Sequence, residues 1–76
     1  MSHGKLEKFA RMANQIGDYF APLPPDEGAA GVALHIQKFW TPKMIAETLA
    51  AIEAGKLILN GTSAQGFAIL RNEGAA

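Results

Sequence analysis

The chain contains no cysteine, so neither a disulfide nor a thiolate-bound metal ion can support its fold. Its seven basic and seven acidic residues balance, and the absence of net charge argues against a partner with a phosphate backbone or an anionic lipid surface. No apolar run approaches the roughly 20 residues of a membrane span, and no apolar leader follows the N-terminus. We therefore expect a cytoplasmic protein that binds neither nucleic acid nor membrane.

The sequence is also short for a protein without covalent or metal support. A domain of 76 residues buries only about 60 to 65 % of the surface that its unfolded chain exposes, so its hydrophobic core is marginal. Small domains compensate with disulfides, a metal or a partner. Because the missing cysteines exclude disulfides and thiolate-metal sites, a partner is what remains. We expect residues 1–76 to form one domain that binds another protein.

Apolar residues spaced three or four apart predict three main helices, over residues 5–20, 28–40 and 42–54. Prolines between residues 22 and 25 end the first helix. Asp26 or Glu27 is expected to cap the second helix. Thr41 and Pro42 mark the start of the third, because threonine is an accepted N-cap and proline is favoured at the first helical position.

The C-terminal part gives a weaker pattern. Asn60-Gly61 is a typical turn signal, and we predict a short last helix over residues 63–71, with Ser63 as its N-cap. Residues 72–76 are expected to fray. The predicted fold is therefore all-α, a small bundle of three main helices with a short fourth helix at the C-terminus.

The sequence shows no arrangement of residues typical of an active site. One histidine, His35, lies within a predicted helix, and a single imidazole makes neither a metal site nor a general base. Glu47 and Glu53 point in different directions, and Ser63 has no visible base beside it. We predict no catalytic, cofactor-binding or metal-binding residue in this chain.

Large apolar residues suggest a binding surface instead. The apolar arc of the first helix spans about half of its circumference, more than one buried face requires. Trp40 has two interpretations, as core filling or as an anchor for a partner, and the sequence leaves both open. The residues hypothesised to bind a partner are Met12, Gln15, Tyr19, His35, Phe39, Trp40, Lys43 and Met44.

Three stretches, in this order and spacing, resemble the delta subunit of NAD-dependent formate dehydrogenase. They are Met12-Ala13-Asn14-Gln15-Ile16-Gly17, Gly31-Val32-Ala33-x-His35-Ile36 and Lys38-Phe39-Trp40-Thr41-Pro42-Lys43-Met44. The resemblance covers roughly residues 9–55 and is poor over residues 56–76. Thr41 stands where the family tends to have aspartate, and either residue can cap a helix.

The resemblance implies a short helical subunit that is not itself catalytic. It would stabilise, or help to mature, a cytoplasmic molybdenum- or tungsten-dependent enzyme by binding its larger subunits. Those subunits would hold the molybdenum cofactor, iron-sulfur clusters, FMN and NAD. The match also adds Asn14 to the hypothesised surface, since the amides of Asn14 and Gln15 can form directional hydrogen bonds with a partner backbone.

Two other functions remain open at the level of sequence. The chain could be an assembly chaperone that dissociates once the molybdenum cofactor has been inserted. It could also be a small helix-turn-helix DNA-binding protein that uses residues 42–71, although that region lacks a basic recognition helix.

Overall fold

Residues 3–75, which the computed structural model describes, form four α-helices and contain no strand. The helices are α1 (His3–Phe20), α2 (Pro25–Phe39), α3 (Pro42–Glu53) and α4 (Gly61–Ala75). The all-α prediction is confirmed, and the three main helices lie close to their predicted bounds. The fourth helix is longer than predicted.

The start of α2 differs from the prediction. Asp26 and Glu27 do not cap the helix. They lie within its first turn, where carboxylates interact favourably with the helix dipole. Pro24 occupies the N-cap position without a side-chain cap, and Pro25 is the first helical residue. A proline fits here because its fixed φ suits the first turn and its missing N–H would have had no partner within the helix.

Both ends of α3 follow the sequence signals. The Oγ1 atom of Thr41 accepts a hydrogen bond of 3.1 Å from the backbone N–H of Met44, and Pro42 is the first helical residue. At the other end, Gly55 adopts a φ of 74°, and its N–H donates to the carbonyl of Ile52. The glycine thus ends the helix in the left-handed conformation that side chains disfavour.

The predicted start of α4 was wrong. Asn60, not Ser63, caps this helix, because the Asn60 Oδ1 atom accepts a hydrogen bond of 2.9 Å from the backbone N–H of Ser63. Ser63 is fully buried inside the first turn. The helix also continues through residues 72–75, which were expected to fray, while residue 76 lies outside the described residues.

Packing of α4 against α2 and α1 forms most of the core, and α3 lies against α1. Gly66 allows the close approach of α4 to α2, since a Cβ atom there would lie 2.6 Å from the Cβ of Val32. The wide apolar arc of α1 is partly explained, because this helix contacts all three others. The buried core residues are Phe9, Ala13, Val32, Ala33, Ile36, Trp40, Phe67 and Leu70.

Trp40 belongs to this core. Its side chain is 6 % exposed, and its ring centroid lies 5.7 Å from the rings of both Phe9 and Phe67. Of the two interpretations that the sequence left open for Trp40, the structure of the free chain supports core filling. From the end of α2, the indole contacts Phe9 of α1 and Phe67 of α4, and it thereby joins three of the helices.

Candidate protein-binding surface

A groove of about 500 Å³ runs between the C-terminal half of α1 and the C-terminal half of α2. We call it the α1/α2 groove. It is lined by Gln15, Ile16, Tyr19, Phe20, His35 and Phe39. Sequence spacing explains the α1 wall, because positions 12, 15, 16 and 19 recur on one side of a helix. Four of the residues hypothesised to bind a partner meet here.

Aromatic contacts fix the shape of the groove. The Phe20 ring packs so closely on the backbone of Gly31 that a Cβ atom there would lie 2.6 Å from the ring. Tyr19 meets Phe20 edge-on, with 5.0 Å between their ring centroids. On the α2 wall, the ring centroids of His35 and Phe39 lie 4.7 Å apart. Because rings have few rotatable bonds, covering them with a partner costs little side-chain entropy.

The groove is open to solvent, and its largest rings are the most exposed. Tyr19 is 79 % exposed and Phe39 is 70 % exposed. A shallower depression of about 220 Å³ adjoins the groove, shares Phe20, His35 and Phe39 with it, and reaches Leu34, which is 55 % exposed. Contiguous exposed apolar surface of this kind marks interaction sites on proteins.

The other flank of α1 is closed. Here α1 meets the start of α4 in a contact that we call the α1/α4 seam, formed by Ala13, Asn14, Gly17, Asp18, Asn60 and Ser63. The Asn60 backbone N–H donates to the Oδ1 atom of Asn14 at 2.8 Å. The Asn60 side-chain amide donates to the Asn14 carbonyl and to the Asp18 carboxylate, both at 3.0 Å. The Ser63 hydroxyl donates to the Ala13 carbonyl at 2.9 Å.

The seam also includes one residue of the hypothesised binding surface. Asn14 was expected to hydrogen-bond to a partner backbone, and its side-chain oxygen accepts a hydrogen bond from the Asn60 backbone N–H within the chain. Asn14 therefore lies on the flank of α1 that faces α4 and not in the α1/α2 groove. A contact between its amide and a partner stays a prediction.

The remaining predicted residues lie outside the groove. Met12 and Met44 are half-buried and pack against the core, while Lys43 is exposed at the start of α3. Sequence reasoning missed Phe20 and Lys38 as members of this surface. For Lys38 the signal was its position one turn after Leu34, an apolar residue that lies opposite the apolar face of the second helix.

The chemistry that this surface offers is recognition. Rings and aliphatic side chains supply apolar contact, and Gln15, Tyr19 and His35 supply hydrogen-bonding groups at its edges. Among the side chains that the structure describes, no three histidine or acidic residues form a group that could hold a metal ion. An apolar groove with a few polar groups around it suits a protein segment.

Comparison with known proteins identifies the family of this chain. The sequence model of the NADH-dependent formate dehydrogenase delta subunit, FdsD, matches residues 8–65, which is more than half of the chain. The chain belongs to this delta-subunit family. No match was found among curated proteins or among solved structures.

Membership in the delta-subunit family makes the chain a subunit of an oxidoreductase and implies association with the formate dehydrogenase complex. The match extends past Gly55, where the resemblance seen in the sequence weakens, to Gln65. It thus includes every residue of the α1/α2 groove and of the α1/α4 seam. None of the helices described is long and apolar enough to cross a membrane.

Proposed function

We propose that the chain is a non-catalytic accessory subunit of a cytoplasmic molybdenum- or tungsten-dependent formate dehydrogenase. It acts by binding the larger subunits and so stabilises the complex or helps it to mature. Family membership supports the choice of enzyme. The α1/α2 groove supports binding as the means, because a small helical bundle with a marginal core leaves two large rings uncovered.

The exposure of Tyr19 and Phe39 is the observation that carries this proposal. Each ring leaves on the order of 150 Å² uncovered, given the 150 to 250 Å² that a buried aromatic covers. Covering that area contributes about 3 to 4 kcal/mol per ring at roughly 25 cal/mol/Å², before the costs of association. Two such rings at the centre of an interface are typical of binding hot spots.

In this proposal the redox chemistry belongs to the partner subunits. The molybdenum cofactor, the iron-sulfur clusters, FMN and NAD are held there, and this chain binds none of them. The isolated chain should therefore not oxidise formate with a nicotinamide acceptor, and turnover by the purified chain alone would contradict the proposal.

Stoichiometry in the active enzyme provides the test. The enzyme should be purified through a tag on its largest subunit, and the amount of this chain per largest subunit measured in the active fraction. We expect an equimolar amount, and we expect the complex from a deletion strain to dissociate more readily. If the chain is absent from active enzyme but needed for cofactor insertion, it is the dissociating chaperone. If neither dependence is found, the proposal is wrong.

A further inference from the structure

Asn60 is followed directly by Gly61, and this pair of residues can react with itself. Asparagine is chemically labile because the next backbone nitrogen can attack its side-chain carbonyl carbon, Cγ. Glycine has no side chain to obstruct the closing ring. A bond forms between the Gly61 nitrogen and the Asn60 Cγ atom, the bond from Cγ to Nδ2 breaks, and Nδ2 leaves as ammonia with the Gly61 amide proton. Water then opens the five-membered succinimide ring to aspartate or isoaspartate.

The nitrogen that attacks in this reaction is accessible. Gly61 is exposed and is the first residue of α4, where backbone N–H groups have no partner within the helix. Among the described residues, no packed neighbour lies within 4 Å of a Cβ atom built at Gly61. The ring therefore has room to form, and water can reach it.

The side chain of Asn60, in contrast, is held by the α1/α4 seam. Its Oδ1 atom accepts from the Ser63 N–H at 2.9 Å. Its Nδ2 atom donates to the Asn14 carbonyl and to the Asp18 carboxylate, both at 3.0 Å. Attack by the Gly61 nitrogen makes the planar amide tetrahedral and expels Nδ2, so it requires the hydrogen bonds of Nδ2 to α1 to break. The reaction therefore needs a local opening of the seam.

We propose that Asn60-Gly61 is a deamidation site that the α1/α4 seam protects, and that deamidation breaks the seam. The reaction then occurs in chains whose α1 and α4 have separated, and the loss of ammonia makes it run in one direction. Chains that have opened are thus modified permanently. This inference does not depend on which larger subunits the chain binds, so it stands apart from the proposed function.

Both products are incompatible with the seam. An aspartate at position 60 still accepts from the Ser63 N–H, but it has no side-chain N–H to donate to Asn14 or Asp18. Its carboxylate also lies beside the Asp18 carboxylate, and two like charges at this distance repel each other. Isoaspartate adds a methylene group to the backbone at position 60 and so displaces the N–H that donates to the Asn14 side chain. Either product loosens α4 from α1.

The first experiment measures protection. The purified full-length chain should be aged at neutral pH in native buffer and in guanidinium chloride, with deamidation followed by peptide mass spectrometry. Asn14 and Asn72, which are followed by bulkier residues, serve as internal references. We expect Asn60 to react fastest of the three in denaturant and at least about tenfold more slowly in native buffer. Gly61→Ala should nearly abolish its reaction. Equal rates for Asn60 in the two solutions would overturn the inference.

The second experiment asks whether the seam provides this protection. Asp18→Ala removes one acceptor of the Asn60 amide and should raise the native rate about fivefold, the factor expected for one hydrogen bond. Thr41→Ala is the matched control, because it removes one capping hydrogen bond in α3, outside the seam. It should leave the rate of the wild type unchanged. The inference is wrong if Asp18→Ala has no effect, or if both variants accelerate the reaction equally, since the reaction would then require global unfolding.

The third experiment tests the consequence of the modification. Asn60→Asp reproduces the aspartate product and should lower the midpoint of thermal unfolding by at least about 8 °C. Asn72→Asp, at an exposed position of the same helix, should shift it by no more than about 3 °C. Adding Asp18→Asn to Asn60→Asp removes the facing charge and supplies a new donor, so part of the loss should be recovered. An Asn60→Asp protein as stable as the wild type, or a double variant without recovery, would show that deamidation does not act through the seam.

Discussion

The two flanks of α1 are built from different kinds of residue. The α1/α4 seam uses small and polar side chains, such as Ala13, Gly17 and Asn60, and it lets two backbones approach closely with their polar groups paired. The α1/α2 groove uses large rings, such as Tyr19 and Phe39, and leaves them in solvent. The seam therefore contributes to the stability of the free chain, while the groove can contribute little until something covers it.

Trp40→Ala has the largest expected effect on stability, because the buried indole packs between Phe9 of α1 and Phe67 of α4. We expect a loss of about 3 to 5 kcal/mol in the free energy of unfolding, measured by urea denaturation. For a chain of this size the loss approaches the total stability. Phe39→Ala, the exposed neighbour, should change stability by less than about 1 kcal/mol. Equal effects of the two substitutions would contradict the assignment of Trp40 to the core.

Asn60→Ala should come next, because it removes the cap of α4 and two hydrogen bonds to α1. We expect a loss of about 2 to 3 kcal/mol, from the typical values of a cap and of part-buried hydrogen bonds. Asn72→Ala, an exposed amide later in the same helix, should stay within about 0.5 kcal/mol of the wild type. Thermal unfolding of both variants tests the contribution of the seam to stability. An Asn60→Ala protein as stable as the wild type would show that these hydrogen bonds do not stabilise the fold.

Gly17→Ala tests the close approach within the seam. A Cβ atom at this position would lie 2.9 Å from the Cβ of Ser63 and 3.0 Å from its backbone nitrogen. We expect a loss of about 1 to 2 kcal/mol, although alanine is the better helix former. Gly4→Ala, in the same helix with nothing near its Cβ position, should instead gain about 0.5 to 1 kcal/mol. A gain in both variants would mean that α1 and α4 do not approach so closely.

The helices could be predicted from the sequence where the signals are local. Apolar spacing and the Thr41-Pro42 step place α1 and α3 closely, since caps and periodicity act within a few residues. The start of α4 could not be predicted in this way. Asn60 caps that helix while it also binds Asn14, and this contact between distant parts of the chain exists only once the bundle has formed.

The candidate surface could be predicted in part. Tyr19 belongs to the wide apolar arc of the first predicted helix, and Gln15, His35 and Phe39 were grouped with it in one hypothesised surface. The structure brings these four side chains together in the α1/α2 groove. The places of Asn14 in the seam and of Trp40 in the core could not be predicted, because sequence does not show which flank of α1 faces α4 or how far an indole at a helix end turns inward. Helix periodicity gives the angle between residues, but the neighbours of each face are set by tertiary packing.

The most direct test of the difference between seam and groove is the double substitution Tyr19→Ser and Phe39→Ser. Its matched control is Ile58→Ser, which removes an apolar side chain that is 89 % exposed outside the groove. Each protein should be titrated by calorimetry against formate dehydrogenase purified without this subunit, with its unfolding measured in parallel.

We expect the double variant to unfold within about 1 kcal/mol of the wild type and to lose about 2 to 4 kcal/mol of binding free energy. The control should keep its full affinity. A double variant that unfolds, or one that binds the enzyme as tightly as the wild type, would contradict the assignment of the groove as the binding surface.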